Sequence, residues 1–194
     1  MNLHTAHHGK DESGRAPIIE GYIRQSVDFA FSNMGSTGSA VKMMDVGADY
    51  GYAMHYAATT YGAQVWGLEP YTQSNVWGLN IMQGSVEDPA LQYRWLAATW
   101  PKVDLLFLNH VLEHFCDPHV ALMNLRHLLK PDGWIFVATP EANSEWALWD
   151  GHLSIYTRPF TDYLMNMHGF MVEARDEKEF RPGNVELWTL ARSV

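Results

Sequence analysis

Short apolar segments alternate with helix-compatible segments along most of this sequence, and the alternation constrains the fold more than any other feature. Strands buried on both faces of a sheet read as continuous apolar runs, and parallel neighbours need a crossover between them, which is usually helical. Seven segments are strand-like, namely VKMMDV, QVWGLE, LNIMQGS, KVDLLFLNH, WIFVATP, GFMVEARDE and VELWTLARS. The pattern therefore predicts an α/β fold with a mainly parallel sheet and helices on both faces.

Helix signals lie before and between these strands. Residues 17–31 have apolar positions at helical spacing, which predicts an amphipathic helix ahead of the first strand. The best-marked helix has Asp117 as its cap and Pro118 in its first turn. We expect Pro131 and Gly133 to end that helix, because proline cannot continue a helix and glycine favours its exit.

The domain organisation is simple. The Gly- and Ser-rich segment SNMGSTGSA separates the first helix from the alternating region. We expect residues 1–40 to form an N-terminal tail and cap helix, and residues 41–194 to form the main domain. No internal repeat or second domain is recognisable, so the chain is predicted to be a single domain overall.

Charge and composition narrow the classes of partner. The formal net charge of -9 argues against nucleic acid, because affinity for a phosphate backbone comes from Lys and Arg. No apolar segment approaches the roughly 18 residues of a membrane span, and the first residues lack the apolar core of a secretory signal. The single cysteine, Cys116, excludes an internal disulfide and a cysteine-based zinc cage. We expect a cytoplasmic protein.

The segment MMDVGADYG contains a candidate ligand loop, because ligands of such sheets bind beyond the carboxyl ends of the strands. Asp45 ends the first strand, and Gly47 and Gly51 let the backbone approach a ligand closely. Glu69 ends the second strand 24 residues after Asp45 (69 − 45 = 24), where a carboxylate can accept both hydroxyls of a ribose. Taken alone, these residues are as typical of an ordinary glycine turn and a surface glutamate as of a cofactor site.

Longer motifs in the second half are more specific. The run VDLLFLNHVLEHFCDPHVALMNLRHLLKPDGWIFVATP is followed by GHLSIYTRPFTDYLMNMHGF. Together they resemble class I S-adenosylmethionine-dependent methyltransferases, most closely the group that includes quinone-biosynthesis O-methyltransferases. The likeness extends from Met43 to Phe170. It implies a three-layer, doubly wound, Rossmann-like fold with a mainly parallel seven-stranded sheet and an antiparallel last strand.

The same resemblance implies S-adenosyl-L-methionine as the cofactor, with Glu69 holding the ribose hydroxyls. Two residues depart from the family pattern: Asp49 stands at the middle glycine of the loop, and Ser85 replaces an aspartate that contacts the adenine amine. The Asp49 carboxylate would repel the carboxylate of the cofactor and attract its ammonium or sulfonium, and we expect binding to be retained. The expected cofactor-binding residues are Asp45, Gly47, Ala48, Asp49, Gly51, Glu69, Pro70, Gly84, Ser85, Val86, Asn109 and His110.

Transfer of a methyl group to a protic acceptor needs a base. Candidates are His110, Glu113, His114 and His152, and we expect His110 and His152 to be catalytic. In some quinone O-methyltransferases a Glu-x-x-Glu-His arrangement binds a divalent metal, and His110, Glu113 and His114 stand at the matching positions. Imidazole and carboxylate are both metal ligands. Glu113 and His114 can instead cap a helix or bond neighbouring backbone. We expect no metal, because many members of the family that the chain resembles keep LEH without metal dependence.

The segment after the last strand-end proline is rich in aromatic residues. Trp146, Trp149, Tyr156 and Phe160 could wall an acceptor pocket, and they are equally suited to simple packing. We expect a small-molecule acceptor that is methylated on oxygen. A homodimer is compatible with the sequence.

Two alternative functions stay open. The first is a degenerate cofactor-binding module without catalysis, which the departures at Asp49 and Ser85 favour. The second is a nicotinamide oxidoreductase that uses Glu69 to bind the adenosine ribose. The second leaves the motifs between residues 103 and 140 without a role.

Overall fold

The computed structural model describes residues 15–35, 41–71 and 77–194, which build one sheet flanked by helices. The strands are β1 (Lys42–Val46), β2 (Gln64–Glu69), β3 (Ile81–Gln83), β4 (Val103–Asn109), β5 (Leu129–Pro140), β6 (Phe170–Arg181) and β7 (Asn184–Ser193). The helices are α1 (Arg15–Asn33), α2 (Tyr52–Tyr61), α3 (Leu91–Ala97), α4 (Pro118–Leu128) and α5 (Arg158–Met167). The predicted N-terminal tail and the end of the Gly- and Ser-rich segment lie outside the described residues.

The sheet has seven strands in the order β3-β2-β1-β4-β5-β7-β6. β1 pairs in parallel with β2 and β4, whereas β7 runs antiparallel between β5 and β6. The carboxyl ends of the parallel strands therefore share one edge, and β7 begins at that edge, with Glu186 opposite Pro140. The predicted mainly parallel sheet with an antiparallel last strand is confirmed.

The core lies on both faces of this sheet. Side chains alternate along a strand, so neighbouring residues of β1 and β4 face opposite layers. Met44 and Leu106 belong to the cluster beneath α3, α4 and α5. Met43 and Phe107 belong to the cluster beneath α1 and α2. The three-layer α/β prediction is thereby confirmed.

Local signals define the ends of the helices well. Asp117 caps α4 by accepting hydrogen bonds from the backbone N–H groups of His119 at 2.9 Å and Val120 at 3.2 Å, and Pro118 is its first residue. Gly62 follows α2 with φ of 67°, a conformation that costs glycine little. No helix in the described ranges has the length and apolar character that crossing a bilayer requires.

Helix α4 ends shortly before Pro131, as predicted, but the strand that follows begins earlier than the predicted WIFVATP. The helix ends at Leu128, and β5 begins at the next residue. Pro131 and Gly133 lie inside β5, where the pairing with β4 jumps from Leu129 to Trp134. They form an irregularity within the strand. Leu129 is already buried in the sheet and paired with β4 two residues before the proline, so the strand begins ahead of it.

Candidate functional site

The loop after β1 turns at three residues with left-handed backbone. Gly47 has φ of 72°, Asp49 of 47° and Gly51 of 85°. A Cβ at Gly47 would lie 2.5 Å from Cγ2 of Val111, so glycine is needed there. Aspartate is among the few residues enriched at positive φ. Asp49 therefore adopts the turn although it stands where the family pattern has glycine.

Close packing holds this loop against β2. The N–H groups of Gly47 and Ala48 both donate to the Leu68 carbonyl, at 2.8 and 3.1 Å. Beside this contact, a Cβ at Gly67 would lie 2.8 Å from Ala48 Cβ and 2.8 Å from Met54 Sδ. Gly67 therefore lets the loop approach the strand. Gly67 was not among the site residues predicted from the sequence.

Glu69 is the carboxylate expected to hold a ribose, and backbone donors orient it. It is buried at the end of β2, where Oε2 accepts from the Asp49 N–H at 3.0 Å and Oε1 from the Tyr71 N–H at 3.0 Å. Each carboxylate oxygen has a further lone pair, so both can still accept from ligand hydroxyls. Pro70, predicted to adjoin the cofactor, is exposed beside it.

Three carboxylates converge at this end of β1 and β2. Burial, Glu69 and Asp49 raise the pKa of Asp45 well above its ordinary range. Burial and Glu69 raise the pKa of Asp49 from 3.8 to about 7, although a hydrogen bond from the Tyr50 backbone lowers it. Among the described residues, no cationic side chain pairs with Asp45 or Glu69. The loop therefore favours a cationic ligand.

The residues after β3 make their contacts within the protein. Arg94 crosses Gly84, where a Cβ would lie 2.7 Å from Nη1. Ser85 Oγ accepts from the Glu87 N–H at 3.1 Å. Val86 is buried in the core, with 2% of its surface exposed. The cofactor contacts expected of Gly84, Ser85 and Val86 stay predictions.

A second group of ionisable residues surrounds His110, directly after β4. Its Nδ1 lies 3.1 Å from Oε1 of Glu113, and its Nε2 lies 2.9 Å from Oε1 of Glu186. Both carboxylates are almost fully buried. Burial disfavours the imidazolium, but Glu186 and Glu113 outweigh it and raise the pKa of His110 to about 10. Both ring nitrogens therefore face carboxylates.

The first helix contributes to the same group. Tyr22 of α1 donates to Asn109 Oδ1 at 3.0 Å, and its ring centroid lies 5.5 Å from that of His110. Burial and Glu186 raise the pKa of Tyr22 well above its usual range. Trp188 Nε1 donates to Glu186 Oε2 at 3.3 Å. Asn109, expected to contact the cofactor, is thus already bound by α1.

Two further histidines lie on the other side of Glu113. His152 Nε2 lies 4.0 Å from Glu113 Oε1, and burial lowers the pKa of His152. His114 Nδ1 lies 3.0 Å from the Gly151 carbonyl. Ligand atoms of Glu113, His114 and His152 fall within 4.8 Å of one another, which is compatible with a metal ion. The metal set considered from sequence contained His110 instead of His152. Metal independence stays a prediction.

Two of the predicted wall aromatics border these histidines. The Trp146 ring centroid lies 6.2 Å from that of His110, and the Trp149 centroid lies 5.6 Å from that of His152. Both indoles are partly exposed. Tyr156 is fully buried and donates its hydroxyl to a backbone carbonyl at 3.2 Å, so it belongs to the core rather than to a pocket wall.

Sequence reasoning missed Tyr22 and Glu186. Both are distant in sequence from the motif that contains His110. A glutamate at the start of an apolar strand was the available signal for Glu186, but its position depends on β7 being antiparallel. Tyr22 had no signal beyond its place in an amphipathic pattern.

Comparisons with known proteins identify the family and the fold. A family model described as a methyltransferase domain matches residues 17–175. A ubiquinone biosynthesis O-methyltransferase of Leptothrix cholodnii is 31% identical over 108 residues, which is 53% of this chain and 46% of that protein. The chain thus spans about half the length of this curated relative.

Solved structures share the fold at low sequence identity. The 1,6-didemethyltoxoflavin-N1-methyltransferase of Burkholderia thailandensis, solved with S-adenosylhomocysteine, has a TM-score of 0.68 at 17% identity and covers 90% of this chain and 79% of its own. A SAM-dependent methyltransferase of Archaeoglobus fulgidus has a TM-score of 0.67 at 14% identity. The alignment covers 91% of this chain and 94% of that protein. The chain therefore belongs to the methyltransferase domain family, and the resemblance to class I S-adenosylmethionine-dependent methyltransferases is confirmed.

Proposed function

We propose that the protein transfers a methyl group from S-adenosyl-L-methionine to an oxygen of a small-molecule acceptor. The observation that carries this proposal is the position of two acidic groups at one edge of the sheet. One contains Asp45, Asp49 and Glu69 after β1 and β2, and the other contains Glu113 and Glu186 around His110. The O-methyltransferase relative supports oxygen as the acceptor atom.

The first acidic group fits the cofactor by charge and by hydrogen bonding. S-adenosylmethionine supplies an activated methyl group and carries ammonium and sulfonium charges, which the carboxyl groups of Asp45, Asp49 and Glu69 complement. Glu69, already oriented by two backbone donors, would hold the ribose hydroxyls. The backbone at Gly47 and Gly51 would approach the amino-acid end.

The two histidines would have different tasks. His152 is the better base, because burial lowers its pKa and keeps the imidazole neutral near pH 7. Its Nε2 faces Glu113 Oε1 at 4.0 Å, and this carboxylate would stabilise the imidazolium formed when His152 takes the proton of the acceptor. His110 has both nitrogens beside carboxylates, so it would orient Glu113 and the acceptor rather than remove a proton.

Calorimetry with S-adenosylmethionine and S-adenosylhomocysteine tests the cofactor part of the proposal. We expect both to bind the wild type, and we expect Glu69→Ala to weaken binding at least about a hundredfold, because charge-assisted hydrogen bonds to two hydroxyls are lost. The exposed Glu173→Ala on β6 is the matched control. Undiminished affinity in Glu69→Ala would contradict the assignment of the ribose to Glu69.

A second candidate function is a binding module without catalysis. The side chains of Val111 and Leu79 already lie against Gly47 and Gly51, at 2.5 and 2.7 Å from the Cβ positions, and Asp49 adds a carboxylate to the loop. This candidate predicts that neither nucleoside binds the wild type and that Asp49→Gly restores binding. Tight binding to the wild type would exclude that explanation of the loop.

A further inference from the structure

Two buried carboxylates stand beside the region proposed to receive the acceptor. Glu113 and Glu186 are 1% and 2% exposed, on a 3₁₀ turn and on β7 respectively. Both are in contact with the same imidazole, at 3.1 and 2.9 Å. The His110 side chain is 22% exposed, so the imidazole that contacts both carboxylates is itself open to solvent.

The charge of this group is negative in either state of the histidine. With His110 protonated, two carboxylates face one imidazolium, and with His110 neutral the excess is larger. Lys178 on β6 is the cross-strand neighbour of Glu186, but its Nζ lies 2.6 Å from Asp176 and is paired there. The excess negative charge is therefore not cancelled by Lys178.

The group also has an unused hydrogen-bond acceptor. Within the described part of the chain, Glu113 Oε2 is buried and has no hydrogen-bond partner. Buried polar atoms are normally paired, and an unpaired carboxylate oxygen in a low-dielectric setting attracts a proton donor or a cation. Trp146 and Trp149 border this group and are partly exposed, so the route proposed for the acceptor passes beside them.

We propose that the buried pair Glu113 and Glu186 selects acceptors by charge: the methyl acceptor is a hydroxyl group on a molecule that is uncharged or cationic near this pair, and carboxylate- or phosphate-bearing acceptors are rejected. This inference rests on the proposed function, because it concerns the acceptor side of that site. The charge of the glutamate pair discriminates against anionic acceptors, and Glu113 Oε2 accepts a hydrogen bond from the hydroxyl group of the acceptor. A buried charge about 6 Å away changes affinity by roughly a hundredfold at an effective dielectric constant near 20.

Three phenols that differ only in the para substituent provide the probes. Phenol is neutral, tyramine carries an ammonium group and 4-hydroxybenzoate carries a carboxylate at pH 7.5. Their affinities for the protein saturated with S-adenosylhomocysteine are measured by ligand-observed NMR titration. We expect tyramine and phenol to bind, and 4-hydroxybenzoate to bind at least about tenfold more weakly.

Two variants test whether Glu113 and Glu186 cause the difference in affinity between the phenols. Glu113→Gln and Glu186→Gln each remove one buried negative charge and keep the size of the side chain, so each is expected to reduce the ratio of tyramine to 4-hydroxybenzoate affinity by about tenfold. Glu173→Gln, exposed on β6, is the control and should leave the ratio unchanged. Because the two test variants lie on different elements, misfolding of one leaves the other as a test.

The outcomes separate this inference from the proposed function. Binding of S-adenosylhomocysteine together with equal affinity for all three phenols would overturn charge selection and leave the methyltransferase proposal intact. Absence of binding by both phenol and tyramine would also overturn it, and so would an unchanged ratio in both glutamine variants. Failure of S-adenosylhomocysteine to bind would count against the proposed function, and the phenol ratio measured on the protein alone would still decide charge selection.

Discussion

Asp49 lies in the loop after β1, where burial and Glu69 raise the pKa of its carboxyl from 3.8 to about 7. The folded protein therefore holds a proton on Asp49 that the unfolded chain releases between these two values. Folding stability falls as the pH rises through this window, because the ionised form is disfavoured only in the folded state. The penalty is absent below about pH 4 and complete above about pH 7.

Asp49→Asn removes this penalty. We expect the variant to exceed the wild type in free energy of unfolding by roughly 1 to 2 kcal/mol at pH 8, after allowance for solvent screening, and to match it near pH 4. Urea unfolding followed by circular dichroism at both pH values measures the difference. The exposed Asp150→Asn should show no such pH dependence. A difference that is equal at pH 4 and pH 8 would show that the carboxyl charge is not its cause.

His152 is the residue on which the acid–base part of the proposed function depends. Replacement by Gln keeps a polar side chain of similar reach but cannot accept a proton at neutral pH. We expect His152→Gln to lower the rate of S-adenosylhomocysteine formation by about 10²- to 10⁴-fold with little change in S-adenosylmethionine affinity. The assay uses whichever phenol binds the protein. The exposed His127→Gln on α4 is the control. A wild-type rate in His152→Gln would assign the base elsewhere.

Individual residues differ in how far the sequence could predict them. Glu69 was predictable, because a carboxylate that ends the second strand of an α/β sheet has a defined place, and the structure has it buried there. Glu186 was not, because its distance from His110 depends on the antiparallel pairing of β7 with β5. Side chains that meet through sheet topology leave no local pattern.

Gly67 shows how one strand position controls the neighbouring loop. A Cβ there would lie 2.8 Å from both Ala48 Cβ and Met54 Sδ. We expect Gly67→Ala to lower the free energy of unfolding by about 1 to 3 kcal/mol and to weaken cofactor binding, since the loop would have to move. Urea unfolding and calorimetry measure the two effects.

Gly21 on α1 provides the matched control for this glycine. No atom lies within 4 Å of its Cβ position, and alanine in a helix interior is favoured over glycine by about 0.5 to 1 kcal/mol. Gly21→Ala is therefore expected to be neutral or stabilising. A Gly67→Ala protein as stable as the wild type would show that the loop tolerates the added methyl group.

The cap of α4 is the clearest local signal in the chain. Asp117→Ala removes the acceptor for the His119 and Val120 N–H groups and is expected to cost about 1 kcal/mol of unfolding free energy. Asp117→Ser keeps a capping oxygen and should retain most of the stability, as urea denaturation would measure. Equal losses in both variants would mean that the side-chain cap is not what stabilises α4.

The elements were predictable in kind and order more than in extent. β2 was predicted over its observed length, because QVWGLE is apolar and bounded by turn residues. The sequence LKPDG predicted a break between α4 and β5, but the strand continues through it with a shift in register. Pairing with β4 and burial of Leu129 outweigh the local preference of proline and glycine for a turn.

At the scale of the whole molecule, α1 forms part of the methyltransferase unit. Val27, Ala30 and Phe31 are buried in the cluster shared with β1, β4 and β7, and Tyr22 reaches Asn109 at the end of β4. The sequence placed this helix in a separate N-terminal region within a single domain. These contacts support one cooperative unit that includes α1.

Phe31→Ala tests whether α1 unfolds together with the sheet. Phe31 is 4% exposed and stacks on Tyr61 of α2, with 4.4 Å between the ring centroids. Removing a buried phenyl ring is expected to cost about 3 to 5 kcal/mol. Urea unfolding should keep a single transition at lower urea, coincident by circular dichroism and tryptophan fluorescence, whereas the exposed Phe160→Ala on α5 should change little. A new early transition by circular dichroism, ahead of the main fluorescence transition, would show that α1 is a separable appendage. The tryptophans lie in the sheet, in α3 and in the segments after β2, α3 and β5, and Trp188 reports on α1 through its contact with Phe29.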